Sequence, residues 1–484
     1  MEETEEYNFR EEEKSSSTTD SATNKCLIFQ LIPAKIAYFF TYCFFGSYKP
    51  YIVVFLISTG LSASKAGLIF GICQLASFLS LPLWGVLIDR TGKRLLFTFV
   101  MLVGIASTLF PAPWIAARFK CDHYIVGNVS SNDSRNSEKS PSSTVCLQSD
   151  SSRTLFFAML VVFTASSVCE QPFLSFLDSV VTRIVSLHKS KISFGQQRVF
   201  GSIGYAVAGM VTGLAADNFK HSKLSPYSAV FFVFLPFLIV SIPFVVSLVR
   251  KATFKNESKE QKGTKILIKT VFRICCKLDN FVFLLTVLVK GSMSGLMDSF
   301  VFVFMEKEMD AAKSIMGISI AIACFSEVLV FPFASPIIKK LQGAVPCVII
   351  GLFSISIRFV FFSVVRNPWF ILPCQLSHAL DFALFWAASI EQTKRISPKE
   401  VLTTMFAILN SLHFALASLI SSIAGGYLYD AFGGRMLFRG AGIVGFVWCL
   451  VAILYYYILK RLLLRQSRSD DLTVKEMLNR NSDL

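Results

Sequence analysis

The sequence predicts an all-α membrane protein with twelve transmembrane helices in two six-helix halves. The chain of 484 residues is 53% hydrophobic and has a mean hydropathy of +0.58. Its apolar residues form blocks of about twenty with almost no charge inside, which is the length of a helix that crosses the hydrocarbon core of a bilayer. Lys and Arg concentrate in alternate connections between the blocks, and this pattern is typical of a polytopic topology.

Twelve apolar segments follow one another along the chain, each close to the length needed to cross a bilayer. We expect spans at 31–57, 65–88, 95–117, 154–180, 198–216, 227–249, 279–305, 314–338, 345–364, 368–391, 401–423 and 437–463. Most connections are short, so consecutive spans are expected to run antiparallel. The 48 Phe residues favour lipid-facing surface over a catalytic globule.

The charges of the connections set the predicted orientation. Connections after the even-numbered spans are basic, and cytoplasmic loops carry the excess of Lys and Arg. Both termini are therefore predicted to be cytoplasmic, and we expect the plasma membrane rather than an internal organelle. The predicted domains are a disordered cytoplasmic tail (1–28), a first half (29–250), a cytoplasmic linker (251–278), a second half (279–463) and a cytoplasmic tail (464–484). The net charge of +15 then reflects topology, and no nucleic-acid partner is expected.

The long polar loop 119–152 is predicted to lie outside the cell. It holds sequons at Asn128 and Asn132, which predict N-glycosylation, although a Ser-rich loop also contains sequons by chance. It also holds Cys121 and Cys146. A disulfide between them would stabilise the loop by about 3 kcal/mol in the chain-entropy model, and two free thiols are the alternative.

A motif with defined spacing connects the second and third spans. It reads Gly85-Val-Leu-Ile-Asp89-Arg90-Thr91-Gly92-Lys93-Arg94 and resembles the G-x-x-x-D-R-x-G-[RK]-[RK] signature of the major facilitator superfamily. We expect Gly85 to let helices approach closely and Gly92 to permit the tight reversal. Asp89 is expected to accept hydrogen bonds from a neighbouring helix N-terminus and so to favour one gate state. A basic loop that only sets topology is the alternative.

Ionisable residues inside the spans are the main functional signal, because such groups are costly in hydrocarbon and usually face a pathway. The set comprises Lys49, Asp178, Arg198, Lys290, Asp298, Glu327, Arg358, His378, Asp381 and His413. Both signs occur in both halves, which favours mutual pairing in a water-filled cavity. Static pairing between helices is the alternative.

On the fifth span, Arg198 and Tyr205 are seven residues apart and so share a helix face. Gly201 and Gly204 are expected to leave room beside them. An Arg fork beside an aromatic ring suits a polar ring-shaped solute, because hydroxyls bond to the guanidinium while the flat face stacks. Farther along the span, a GxxxG pattern (209–213) predicts close helix packing.

On the tenth span, His378 and Asp381 are three residues apart and again share a face. Histidine beside a carboxylate in a partly dry site can exchange protons near neutral pH. The pair is a candidate proton site, and a structural role is the alternative.

Several stretches resemble the lactose-permease branch of the major facilitator superfamily and the animal group called major facilitator superfamily domain-containing protein six. They include Gly46-Ser47-Tyr48-Lys49-Pro50, Pro82-Leu-Trp84-Gly85 and Phe194-Gly195-Gln-Gln-Arg198-Val-Phe200-Gly201. The resemblance covers about 30–463 and implies the major facilitator fold. It also implies that Asp178 and Arg198 bind the solute, and that Tyr205 stacks on it where lactose permease has a Trp.

In the second half, Ser-Ile-Arg358-Phe and His378-Ala-Leu-Asp381 are similar to motifs on the ninth and tenth helices of lactose permease. This similarity implies that Asp381 carries the coupled proton, with His378 and Arg358 beside it. Glu327 lies one turn beyond the position of the family's eighth-helix acid and is included in the proton-coupling set.

Asp298 resembles a seventh-helix Asp that forms a salt bridge with a Lys in lactose permease. Gln375 stands in place of that Lys here. Asp298 therefore needs another partner, and Lys290 and Arg358 are the candidates.

The leading hypothesis is a secondary active transporter, a proton-coupled symporter of a small polar organic solute (sugar- or nucleoside-like) that works by alternating access. The expected partners are the solute, protons and the lipid bilayer, with no cofactor or metal, and a monomer is expected. Two other classes remain open: a non-transporting cell-surface receptor or accessory protein on the same fold, and a proton-independent uniporter. An enzyme is not expected, because the polar segments contain no nucleotide loop, nucleophile elbow or metal-ligand cluster.

Overall fold

The computed structural model describes residues 32–119, 143–187, 194–221, 223–252, 264–398 and 400–459. Within these ranges the regular structure is helical, without a strand. The membrane helices, numbered in chain order, are α1 (Ile32–Ser58), α2 (Ala63–Thr91), α3 (Arg94–Phe119), α4 (Ser143–Leu187), α5 (Phe194–Asn218), α6 (Pro226–Lys251), α7 (Leu278–Met309), α8 (Lys313–Lys340), α9 (Ala344–Val364), α10 (Pro368–Ile396) and a final stretch, Leu402–Tyr457. A separate linker helix, Thr264–Cys275, lies between α6 and α7 in the chain.

The stretch Leu402–Tyr457 holds two spans. Its 56 residues would rise about 84 Å as one helix, whereas the hydrocarbon core is about 30 Å thick. Gly433 interrupts it with φ 76° and ψ 167°, a backbone conformation essentially confined to glycine. We therefore divide the stretch into α11 (402–432) and α12 (434–457). The prediction of an all-α membrane protein with twelve spans is confirmed for the described residues.

Helix α4 begins earlier than the sequence predicts. The predicted outer loop extends to residue 152, but the helix begins at Ser143. Once a helix has formed, each added residue gains a hydrogen bond at little cost, so the apolar span extends into the polar residues before it. Cys146 lies on this extension. Cys121, Asn128 and Asn132 lie outside the described residues, as do the tails 1–28 and 464–484 and the middle of the linker, 253–263.

Contacts among the helices group the chain into two compact units. Unit 1 comprises Met1–Leu61, Ala76–Ser258 and Ala312–Cys324, and unit 2 comprises Ser62–Leu75, Lys259–Ala311 and Phe325–Leu484. The division passes through α2 and α8. The beginning of each of these two helices therefore packs with helices from the other half of the sequence.

Buried aromatic rings pack against one another within each unit. In unit 1 the ring of Phe55 meets that of Phe231 edge-on, with centroids 4.9 Å apart. In unit 2 the ring of Phe438 stacks on Phe304 at 4.5 Å and tilts against Phe359 at 5.1 Å. Such pairs stabilise a core by about 0.5–1.5 kcal/mol beyond the area they bury.

Candidate functional site

Three helices of unit 1 bring a polar cluster together. Arg198 of α5 pairs with Asp178 of α4, with Nη1 3.6 Å from Oδ2. Tyr38 of α1 donates its hydroxyl to the other carboxylate oxygen at 2.7 Å. Tyr38 is fully buried, whereas 53% of the Arg198 side chain is exposed. The carboxylate is thus held in place by a buried donor, while the guanidinium keeps N–H groups available for a ligand.

A second polar cluster joins two of these three helices, α1 and α4. The Lys49 ammonium lies 3.4 Å from Oε2 of Glu170, and Ser166 donates to Oε1 at 2.6 Å. Tyr38 and Lys49 are eleven residues apart, about three turns, and so share one face of α1. Glu170 is 4% exposed, so its charge is balanced within the protein. Sequence analysis missed Glu170, although an acid inside the predicted span 154–180 was a sufficient signal.

The expected space beside Arg198 and Tyr205 is filled. A Cβ at Gly201 would lie 2.8 Å from Cδ2 of Tyr42, and one at Gly204 would overlap the backbone of α1. The prediction that these glycines leave room is therefore wrong. They let α5 approach α1 closely instead, and Tyr205 lies half-buried on α5 two turns from Arg198.

Arg358 of α9 is the centre of a buried network in unit 2. Its Nη1 donates to Oδ2 of Asp381 at 2.6 Å, and its Nη2 donates to Oε1 of Gln375 at 2.6 Å. The side chains of Arg358 and Asp381 are 4% and 1% exposed. Buried charges are tolerated when they stay paired and hydrogen-bonded. Gln375 contributes to this by offering the guanidinium an oxygen, where a Lys would repel it.

His378 of α10 lies between two carboxylates. Its Nδ1 is 2.9 Å from Oδ1 of Asp381, and its Nε2 is 3.0 Å from Oε1 of Glu327. A neutral imidazole has one N–H and one lone pair, so it can donate to one carboxylate and turns its lone pair toward the other. When the lone pair is on Nδ1, Nη1 of Arg358 lies 3.1 Å away and can donate to it, but the contact between Nδ1 and Asp381 still lacks a hydrogen. One further proton, on the ring or on a carboxyl group, removes this conflict. The geometry of the group therefore suits a single additional proton.

The backbone of α10 is irregular where this network forms. Gln375–Ser377 is a 3₁₀ turn, and Ala379–Leu384, which includes Asp381, is a π-helix. Single π turns are frequent at functional sites because they redirect side chains locally. The hydropathy of the span predicts the helix but not this irregularity.

Lys290 and Asp298 of α7 do not pair with each other. Lys290 is fully buried, donates to Oγ of Ser294 at 2.8 Å and lies 4.7 Å from the centroid of the Phe385 ring. Asp298 is exposed and has no hydrogen bond or ion pair with any described residue. Neither Lys290 nor Arg358, the two candidate partners, forms a direct ion pair with Asp298. Eight residues along an α-helix turn by about 80°, and Arg358 is occupied by its own partners.

The motif between the second and third spans lies at a turn. Helix α2 ends at Thr91, Gly92 has φ 65° and α3 begins at Arg94. A positive φ of this size favours glycine. Arg90 and Lys93 are exposed beside the turn.

The other two members of the motif make fewer contacts than expected. Nothing lies within 4 Å of a Cβ placed at Gly85, so the expected close helix approach at Gly85 is absent from this structure. Asp89 is exposed and accepts no hydrogen bond from the described residues. Both residues are exposed near the end of α2, whereas Gly67 and Gly71 near its beginning lie against α11.

No group of three or more His, Cys, Asp or Glu side chains that could hold a metal ion occurs among the described residues.

Known proteins are similar to this chain in sequence and in fold. The sequence profile of the MFS_1 like family matches residues 31–440. The chain is 25% identical over 170 residues to the major facilitator superfamily domain-containing protein 6-like protein B of Xenopus laevis, an alignment that covers 35% of this chain and 27% of that protein. It also covers 49% of the length of protein A from the same organism, so the chain spans half or less of these two relatives.

Two further similarities extend over most of the chain. The chain is 22% identical over 415 residues to the uncharacterized transporter YwbF of Bacillus subtilis (strain 168), with 84% of this chain and 90% of that protein aligned. Its fold is similar to the crystal structure of a mutant of the nucleoside transporter NupG, with a TM-score of 0.71, 14% identity, and coverage of 88% of this chain and 99% of that chain.

Proposed function

The chain belongs to the MFS_1 like family of the major facilitator superfamily, and on this premise we propose that it is a secondary active transporter that carries a small polar organic solute together with a proton. The family and the fold are those of membrane transporters. Our proposal concerns the proton coupling, the solute class and the residues that perform each task.

The observation that carries the proposal is the position of His378 between Asp381 and Glu327. The two ring nitrogens lie 2.9 Å and 3.0 Å from oxygens of these two acids, an arrangement that a single added proton completes. In the proposed cycle Asp381 takes the proton and His378 passes it to or from Glu327. Arg358, 2.6 Å from Asp381, stabilises the carboxylate when the proton leaves.

The proposed solute site is the cluster of Asp178, Arg198 and Tyr205, with Tyr38 holding the Asp178 carboxylate. Hydroxyl groups of a polar ring would donate to Asp178 and accept from Arg198, and Tyr205 offers an aromatic face. Sugars and nucleosides combine such hydroxyls with a compact ring. Rigid-body rocking of the two halves would expose the site to each side in turn.

The test is uptake into proteoliposomes that contain the purified chain and a pH-sensitive dye. A mixture of sugars and nucleosides is applied with and without an inward proton gradient, and mass spectrometry identifies what enters. Arg198→Ala and Asp381→Asn are compared with Arg366→Ala and Asp310→Asn, which change an exposed Arg and an exposed Asp without a described ion pair.

We expect the gradient to drive uptake of at least one solute with acidification of the lumen. Arg198→Ala and Asp381→Asn should each reduce this uptake about tenfold or more, because each removes hydrogen bonds to a charged group. Uptake that ignores the proton gradient would instead indicate a uniporter. Binding of solutes or a protein partner without any flux would indicate a non-transporting receptor.

A further inference from the structure

Two aspartates cap the first turns of helices that are distant in the sequence. In unit 1, Asp217 near the end of α5 accepts hydrogen bonds from the backbone N–H groups of Lys313 and Ser314 at the start of α8, both at 2.8 Å. One carboxylate oxygen serves each N–H group. The first N–H groups of a helix lack partners within the helix and carry partial positive charge, so the carboxylate joins α5 firmly to α8.

The same arrangement recurs in unit 2. Asp430 near the end of α11 accepts hydrogen bonds from the backbone N–H groups of Ala63 and Ser64 at the start of α2, at 3.0 Å and 2.8 Å. Again each carboxylate oxygen serves one N–H group. Asp430 thus joins α11 to α2 as Asp217 joins α5 to α8.

Close backbone contacts accompany each cap at matching positions. In unit 1, a Cβ at Gly317 would lie 2.5 Å from the carbonyl oxygen of Gly209, and one at Gly213 would overlap the carbonyl oxygen of Lys313. The predicted close packing of the GxxxG pattern is confirmed by these contacts. Small residues here let the helix backbones touch.

In unit 2, a Cβ at Gly426 would lie 2.5 Å from the carbonyl oxygen of Ala63, and one at Gly67 would overlap the carbonyl oxygen of Ser422. The spacing matches that of unit 1. A small residue, a glycine four residues later and an Asp four residues after that follow one another on both receiving helices: Gly209, Gly213 and Asp217 on α5, and Ser422, Gly426 and Asp430 on α11.

We propose that Asp217 and Asp430 are paired carboxylate latches, which hold α5 to α8 and α11 to α2 at the ends of these helices that the sequence predicts to be extracellular, and which release together when the solute site opens to that side. Each latch joins a helix of the predicted first half to a helix of the predicted second half, so a movement that separates the halves on that side must break both. The inference rests on the proposed function, because only a transporter needs that side to open and close.

The chemistry of the latches suits reversible closure. Each carboxylate makes two charge-assisted hydrogen bonds, which are stronger than neutral ones. Asp217 and Asp430 are nevertheless both exposed, so water can replace the N–H groups as they part. A buried carboxylate would have no such replacement.

Hydrogen–deuterium exchange of the purified full-length chain in nanodiscs, without any solute, tests the proposal. Peptides that contain Ala63–Ser64 and Lys313–Ser314 report the two latches separately. Asp217→Asn must raise exchange at its own partners, Lys313 and Ser314, whatever the role of the cap. The informative readout is therefore the other latch.

We expect Asp217→Asn to raise the exchange rate at Ala63 and Ser64 by about fivefold or more, since it removes charge-assisted bonds that stabilise the shared closed state. Asp430→Asn should raise exchange at Lys313 and Ser314 in the same way. Glu391→Gln is the control. Glu391 is an exposed acid near the end of α10 that is predicted to be cytoplasmic, and it has no described hydrogen bond. It should change neither peptide.

Exchange that rises only at the substituted cap would overturn the proposal, since the aspartates would then be independent structural caps. Amides in the middle of α7 show whether a variant is still folded. If an Asn variant unfolds, Asp217→Glu and Asp430→Glu replace it, because the longer side chain keeps the charge but misplaces it, and the same cross-effect is required. No solute is needed, so a negative transport assay and a negative latch assay are separate results.

Discussion

Arg358 and Asp381 form the most deeply buried ion pair in the described part of the chain, with side chains 4% and 1% exposed. At this depth the two charges depend on each other, because water cannot replace a lost partner. Removing one member of such a pair costs about 3–5 kcal/mol, whereas removing both is often nearly neutral. The change in unfolding free energy when one member is removed therefore measures how far water is excluded from the network.

We expect Arg358→Gln to lower the free energy of unfolding by about 3 kcal/mol or more, because Asp381 is left as an unpaired buried charge. The double variant Arg358→Gln with Asp381→Asn should recover most of this loss. Thermal unfolding in detergent measures both, with Arg366→Gln as an exposed control. A double variant that is no more stable than the single one would contradict a charge-balance origin.

The membership of the unit 2 network was largely predictable, because acids, Arg and His inside apolar spans are rare and functional groups among them tend to meet. The partner of each charge was not predictable. Pairing depends on the rotation and depth of each helix: a turn of about 80° along α7 separates Asp298 from Lys290, while Gln375 reaches Arg358. Glu170 shows the opposite case, in which the signal was present and was missed.

At the scale of the helices, the spans followed from hydropathy, since twenty apolar residues have few alternatives to crossing the bilayer. Their irregularities did not follow. The π-helix in α10 depends on the hydrogen bonds of a packed neighbourhood. The early start of α4 depends on propagation from an existing helix, which residue-level hydropathy does not describe.

The contact between α5 and α1 can be tested with a single methyl group. Gly204→Ala should lower the free energy of unfolding by about 1–3 kcal/mol, because the added Cβ overlaps the backbone of α1 and the helices must move apart. Gly440→Ala on α12 is the matched control. Nothing lies within 4 Å of a Cβ at Gly440, so the higher helix propensity of Ala should leave stability unchanged or raise it by about 0.5–1 kcal/mol. Equal effects in the two variants would contradict the close approach.

At the scale of the whole molecule, proton coupling and the conformational cycle are separable. Exchange of solute across the membrane needs the helices to move but does not need the proton to leave. Asp381→Asn should therefore abolish gradient-driven accumulation and retain counterflow, measured as entry of labelled solute into vesicles preloaded with unlabelled solute. Loss of counterflow to the level of empty vesicles would show that Asp381 is needed for binding or movement.

The beginning of α2 has a consequence for biosynthesis. Gly67 of α2 packs against the backbone of Ser422 in α11, a residue synthesised about 350 positions later, which at typical elongation rates means a delay of roughly 20–70 s. Until then the small-residue face of α2 lacks its contacts with α11. A ribosome that stops after α6 therefore releases a chain whose second helix is incompletely packed, and such a fragment should be recognised and degraded faster than the complete protein.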